Sequence, residues 1–148
     1  MNAATPEPTA NTPAPENQTP LAEPTGPIDP KSVEAAGQVV QHYAALIEQR
    51  RFADAEKLWR DQPSARNFSV ELRKYSEVDL EIGKPGDEEG AAGSIFVTEP
   101  VTFYGKDSGG KAFRHAADVI LRRINDVPGS TASQRRWHIE QVEWKDAT

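Results

Sequence analysis

A chain of 148 residues with 36% hydrophobic content has room for one globular domain and little more. The absence of cysteine excludes disulfide scaffolding and thiolate chemistry, and no run approaches the ~20 apolar residues of a membrane helix. Residues 1–30 carry −4 of the net charge of −6; the remaining 17 basic and 19 acidic side chains nearly balance, which excludes nucleic acid as a standing partner because phosphate binding needs clustered, excess Lys and Arg.

The first 30 residues hold eight of the twelve prolines, five threonines, four acids (Glu7, Glu16, Glu23, Asp29) and no Lys or Arg. They offer too little apolar surface to offset ordering entropy. A disordered Pro/Thr-rich tether is therefore expected over residues 1–30, ahead of a folded domain at 31–148. About 118 residues can bury a core without metal or disulfide support. A Pro/Thr spacer of this kind often follows a cleaved export signal or a lipidated N-terminus, with Met1 replacing removed targeting sequence. The expectation is an exported protein, periplasmic or membrane-anchored and tethered near an envelope surface; the alternative is a cytoplasmic one.

In "GPIDPKSVEAAG" Asp29 can cap a helix, and Pro30 suits its first position, where the missing N–H costs nothing. From there Val33, Ala36, Val40, Tyr43, Ala44 and Ile47 recur at helical spacing. The pattern breaks around Gln49 and Arg51. A second helix carries Phe52, Ala55, Leu58 and Trp59 on one face until Gln62 and Pro63 end it. A third short helix or turn is expected over residues 64–75.

The period then changes from 3.6 to 2. Val78, Leu80 and Ile82 alternate with acids as a first strand, and "GKPGDEEGAAG" reads as a loop. "SIFVTEPVTFYG" is a second strand in which Pro100 marks a bulge or an edge. "KDSGGK" is a hairpin turn, "AFRHAADVILRRIN" a long third strand and "DVPGSTASQ" a loop. In the fourth strand, "RRWHIEQVEW", Trp137 and Ile139 are odd while Val142 and Trp144 are even, so a bulge is expected near Glu140 and Gln141.

Residues 47–59 look like the turn and second helix of a tetratricopeptide unit. Such repeats need about three copies, and nothing at the ~34-residue offset resembles this one. The helices instead cover an antiparallel sheet, and the class is α+β. Two amphipathic helices, a short third element and long strands ending in "RRWHIEQVEW" resemble the nuclear transport factor 2-like (cone-fold) superfamily over about residues 31–145. The hairpin "FYGKDSGGKAFRHAADVILRRIND" is similar to that of many bacterial members. The resemblance implies a sheet curled around the helices, a pocket inside the cone, and pairing of sheet to sheet. It implies no single activity, since the superfamily holds isomerases and dehydratases as well as non-catalytic accessory domains.

The run from Gly105 to Ala112 matches the spacing of a phosphate loop but lacks its final Ser or Thr and the helix that should follow, so its glycines belong to a hairpin. His42, His115 and His138 show no ligand spacing on one helix; His138 and Glu140 share a strand face, a chance arrangement more often than a metal site. Neither metal nor cofactor is expected.

In the third strand the odd positions Phe113, His115, Ala117, Val119 and Leu121 are the apolar ones, and in the second strand Ile95, Val97, Val101 and Phe103 are odd too. Glu99 then points inward. A hairpin centred on Asp107 would set Glu99 opposite His115, and one centred on Ser108 would leave them diagonal neighbours. A carboxylate beside an imidazole in an apolar cone can transfer protons; it can equally be an internal hydrogen bond between two buried polar groups.

Tyr43, Trp59, Val97, Glu99, His115 and Trp137 are the candidate ligand-binding residues, with Glu99 and His115 the catalytic pair if the protein is an enzyme. Phe96, Thr98, Thr102, Tyr104, Ile120 and Ile124 form a half-apolar outer face suited to a homodimer. The leading function is a non-catalytic accessory or binding module with a pocket for a small apolar or amphipathic ligand and a sheet surface for protein association. The alternative is a small isomerase- or dehydratase-like enzyme.

Overall fold

A computed structural model describes residues 29–125 and 128–145. The expected tether over residues 1–30 lies, apart from Asp29 and Pro30, outside the described residues, as do Asp126 and Val127 of the last loop.

The order is α1 (Val33–Glu48), α2 (Phe52–Glu56), α3 (Gln62–Arg73), β1 (Glu77–Ile82), β2 (Glu89–Ala91), β3 (Ser94–Lys106), β4 (Ala112–Ile124) and β5 (His138–Trp144). The strands form one antiparallel sheet in the order β1-β3-β4-β5, with β2 on the β1 side of β3. The helices cover one face. The class is α+β, in the arrangement expected of a cone fold.

Helix α1 starts later than the sequence implies. Ser32, not Asp29, is its cap and accepts from the Ala35 amide at 3.2 Å, while the Asp29 side chain accepts from the Lys31 amide in the preceding turn. Ala36, Val40, Tyr43, Ala44 and Ile47 are buried as their spacing requires. The helix ends at Glu48, and Arg50 beyond its cap adopts φ 60 so that Arg51 can donate to the Leu46 carbonyl.

Helix α2 is only five residues long, and Pro63 opens a helix rather than closing one. Asp61 caps α3, with its side chain accepting from the Ser64 amide, and Pro63 lies in the first turn. The reason is at the sheet edge. Leu58 accepts from the Ile139 amide at 2.8 Å and Arg60 donates to the Ile139 carbonyl at 2.9 Å, so residues 58–60 satisfy β5 instead of extending the helix.

The expected loop before the second strand contains β2, which pairs with the start of β3 through a turn at Ala92 and Gly93. Pro100 lies between the stretches of β3 that pair with β2 and with β1. Its carbonyl accepts from Gly83 on that edge at 2.8 Å, and the amide it lacks would have pointed the same way; the β4 ladder therefore loses nothing. β5 carries the expected bulge: Ile120 faces Gln141 and Leu121 faces Ile139, leaving Glu140 as the extra residue.

Candidate functional site

The β3–β4 hairpin sets the interior. Asp107 accepts through one carboxylate oxygen from the Gly109 and Lys111 amides, both at 2.9 Å, and Gly110 sits at φ 82. This turn is centred one residue beyond the later of the two expected registers. Glu99 therefore pairs with Val119, and His115 pairs with Phe103. The odd face does point inward on both strands, with Val97, Glu99, Val101, Phe103, Ala117, Val119 and Leu121 buried. The Glu99–His115 pair is nevertheless not formed: four residues separate them along the ladder, about 13 Å at ~3.3 Å per residue.

Glu99 lies on the buried odd face of β3, between Val97 and Val101 and paired with Val119. It is 1% exposed, and its Oε2 has no hydrogen-bond partner among the described residues. Burial pushes its carboxyl up to about 7, since the charged form loses its hydration with no compensating donor. Gly37 of α1 makes room for it: a Cβ at Gly37 would stand 3.4 Å from Oε2. A second buried polar atom without a hydrogen-bond partner among the described residues is the indole Nε1 of Trp137, two residues before Ile139, which pairs with Leu121 of β4.

Tyr43 and Trp59 pack with ring centroids 6.4 Å apart. Burial raises the Tyr43 phenol well above its ordinary value, against a hydrogen bond with the Trp59 side chain that acts the other way. Tyr43, Trp59, Val97 and Trp137 are each 5% exposed or less, so all four are core side chains in this structure. His115 belongs to another cluster, half-buried at 5.5 Å from Phe113 and 6.1 Å from Trp144. Phe68 links the two clusters, with centroids 5.6 Å from Trp59, 5.7 Å from Phe103 and 5.5 Å from Trp144. Its place at the hub was not foreseen, because a helix of uncertain extent leaves the inward face undefined.

His138 and Glu140 do not combine into a metal site. Arg60 binds both Glu140 oxygens, at 2.6 and 2.7 Å, and holds its carboxyl below the ordinary range. Burial lowers the His138 imidazole, whose Nδ1 is 3.0 Å from the Arg136 carbonyl. Among the described residues no group of three or more His, Asp or Glu side chains could hold a metal ion.

A trough of about 530 Å³ opens on the outer face, lined by Glu81, Gly83, Pro100, Thr102, Ala116 and Lys145 among others, a size within the ~300–1,000 Å³ typical of ligand pockets. Alternation identifies these residues as outward-facing but not as neighbours. Only the pairing register places Glu81 beside Thr102 and Thr102 beside Ala116.

No family model matches this chain, and comparison with curated proteins finds no match. Among solved structures the chain is similar to Aln2 from a Streptomyces species, at 11% identity and a TM-score of 0.49, over 78% of this chain and 93% of that one.

Proposed function

We propose that this chain is a non-catalytic binding module of the nuclear transport factor 2-like kind, whose interior takes up an elongated, largely apolar molecule with polar ends. The carrying observation is Glu99 Oε2, buried and without a hydrogen-bond partner among the described residues. Buried polar atoms in native proteins nearly always have partners, and one without a partner on the protein is a place for a water, an ion or the donor of a ligand. A hydroxyl or amide N–H would serve Glu99, and an acceptor at the far end would serve the Trp137 indole. The apolar row between them suits a hydrocarbon body. Entry requires the first turns of α1 to lift, where Gly37 weakens the helix. An envelope-tethered location belongs to the same reading and rests on the Pro/Thr composition of residues 1–30.

Proton transfer is the second reading. It rests on Glu99 alone, whose carboxyl near pH 7 suits a general base; the register leaves it without His115 as partner. Native mass spectrometry of freshly purified protein tests the proposal, together with the Trp137 indole resonance in a nitrogen–proton correlation spectrum. A retained adduct that Glu99→Gln releases, and an indole signal that moves with it, are expected. Unliganded protein in every preparation, with an indole signal that no apolar alcohol or amide shifts, would overturn it.

A further inference from the structure

The trough on the outer face exists because two small side chains meet there. Across the β3–β4 ladder Thr102 pairs with Ala116, and the pairs on either side are Tyr104 with Arg114 and Pro100 with Asp118. Arg114 lies over the Tyr104 ring, 5.7 Å from its centroid, and reaches across to donate to the Glu81 carboxylate on β1. That bridge bounds one side of the low floor formed by Thr102 and Ala116. Pro100 bounds the other.

The two ends of the floor carry opposite charge. Glu81 stands beside Thr102 on β1, and Lys145 is held beside Ala116 by its own amide, which donates to the Ala116 carbonyl at 2.9 Å. Glu81 and Lys145 are the charged residues among those lining the trough. Each is already neutralised by a neighbour, Glu81 by Arg114 and Lys145 by Asp118, whose Oδ1 is 3.4 Å from Nζ. A ligand of one sign would unbalance these four charges. A zwitterion adds a counter-charge at each end and leaves their sum at zero. Three strand spacings of ~4.8 Å set the backbones of Glu81 and Lys145 about 14 Å apart, and an ion contact of ~2.8 Å at each end leaves about 9 Å between the ligand's own charges. An extended chain spans ~3.3–3.6 Å per residue, so three residues with free ends fit, whereas a single amino acid is too short.

We propose that the outer trough binds a zwitterion whose charges stand about 9 Å apart, above all an unblocked tripeptide, with its ammonium at Glu81 and its carboxylate at Lys145. The Thr102 hydroxyl beneath the middle of the ligand can hydrogen-bond its backbone, and Pro100 gives it an apolar wall. The trough lies on the face of the sheet opposite Glu99, so this site stands or falls independently of the interior one.

Trialanine titrated into the full chain, followed by amide shifts in a nitrogen–proton correlation spectrum, tests the site. Saturable shifts at Gly83, Thr102, Ala116 and Lys145 are expected, with a Kd on the order of 1 mM because both end contacts are open to solvent. Glycine, and trialanine with acetylated and amidated ends, should bind at least about tenfold more weakly. Glu81→Gln and Lys145→Gln should each weaken trialanine about fivefold. Both side chains are more than half exposed, so neither change threatens the fold, which circular dichroism verifies. The compound ε-aminocaproate carries charges at a similar spacing without peptide groups. Binding equal to that of trialanine shows selection by charge spacing, and weaker binding shows selection of the peptide backbone as well; either sustains the site. The absence of saturable shifts up to about 10 mM, a blocked peptide that binds like the free one, or variants that bind like wild type overturns the proposal.

Discussion

Gly37 of α1 faces Glu99 of β3 so closely that an added Cβ would stand 3.4 Å from the carboxylate oxygen Oε2. The contact joins a helix weakened by glycine to a carboxyl that has no hydrogen-bond partner at that oxygen among the described residues.

Gly37→Ala is expected to raise stability by roughly 0.5–1 kcal/mol, because alanine loses less backbone entropy in a helix and 3.4 Å is an ordinary contact. The same methyl fills the approach to Oε2, so ligand retention should fall while urea stability rises. Loss of both together would mean that the position is simply overpacked.

The contribution of Glu99 to stability should fall as pH rises. The Glu99 carboxyl stands at about 7 when folded, above its ordinary 4.5 when unfolded, so between those values the folded chain holds the extra proton. The contribution is fully present below pH ~4.5 and is lost through pH ~7, roughly 3 kcal/mol in all. Glu99→Gln removes this slope and is expected to be the more stable protein at pH 8. Urea unfolding at four pH values between 4.5 and 8 checks both statements.

Gly105→Ala should cost more than about 3 kcal/mol, since at φ 149 a Cβ would meet the Glu77 carbonyl oxygen at 2.1 Å. Gly105 lets β1 approach β3. A variant that melts like wild type would show that the strands separate readily here.

Arg60 and Glu140 tie the corner after α2 to the bulge in β5. A double-mutant cycle with Arg60→Ala and Glu140→Gln should give a coupling of about 1 kcal/mol, at the upper end for a partly exposed pair because the contact is bidentate. A coupling that vanishes would make the bulge independent of the helical layer.

Phe68→Ala should destabilise by roughly 2–3 kcal/mol, less than a fully buried phenylalanine, because Phe68 is only partly buried among Trp59, Phe103 and Trp144. Trp144 fluorescence should shift to the red as that aromatic contact is lost. An unchanged spectrum would place Trp144 outside the cluster.

Periodicity by itself determined much of this protein. Helical spacing from Val33 to Ile47 and alternation in the strands identify the elements and their buried faces, because the geometry of one helix or strand is local. The phase slip between Ile139 and Val142 located the bulge, and Glu99 was legibly an inward carboxylate. The extent of α2, the existence of β2 and the partners of Glu99 and His115 were decided only in three dimensions. A short helix is marginal alone and yielded to the edge of β5. A hairpin register shifts with a single turn residue, and that shift separates a carboxylate from an imidazole by about 13 Å. The cross-strand rows of the outer face depend on the same register, which is why only the folded sheet places Glu81 beside Thr102 and Thr102 beside Ala116.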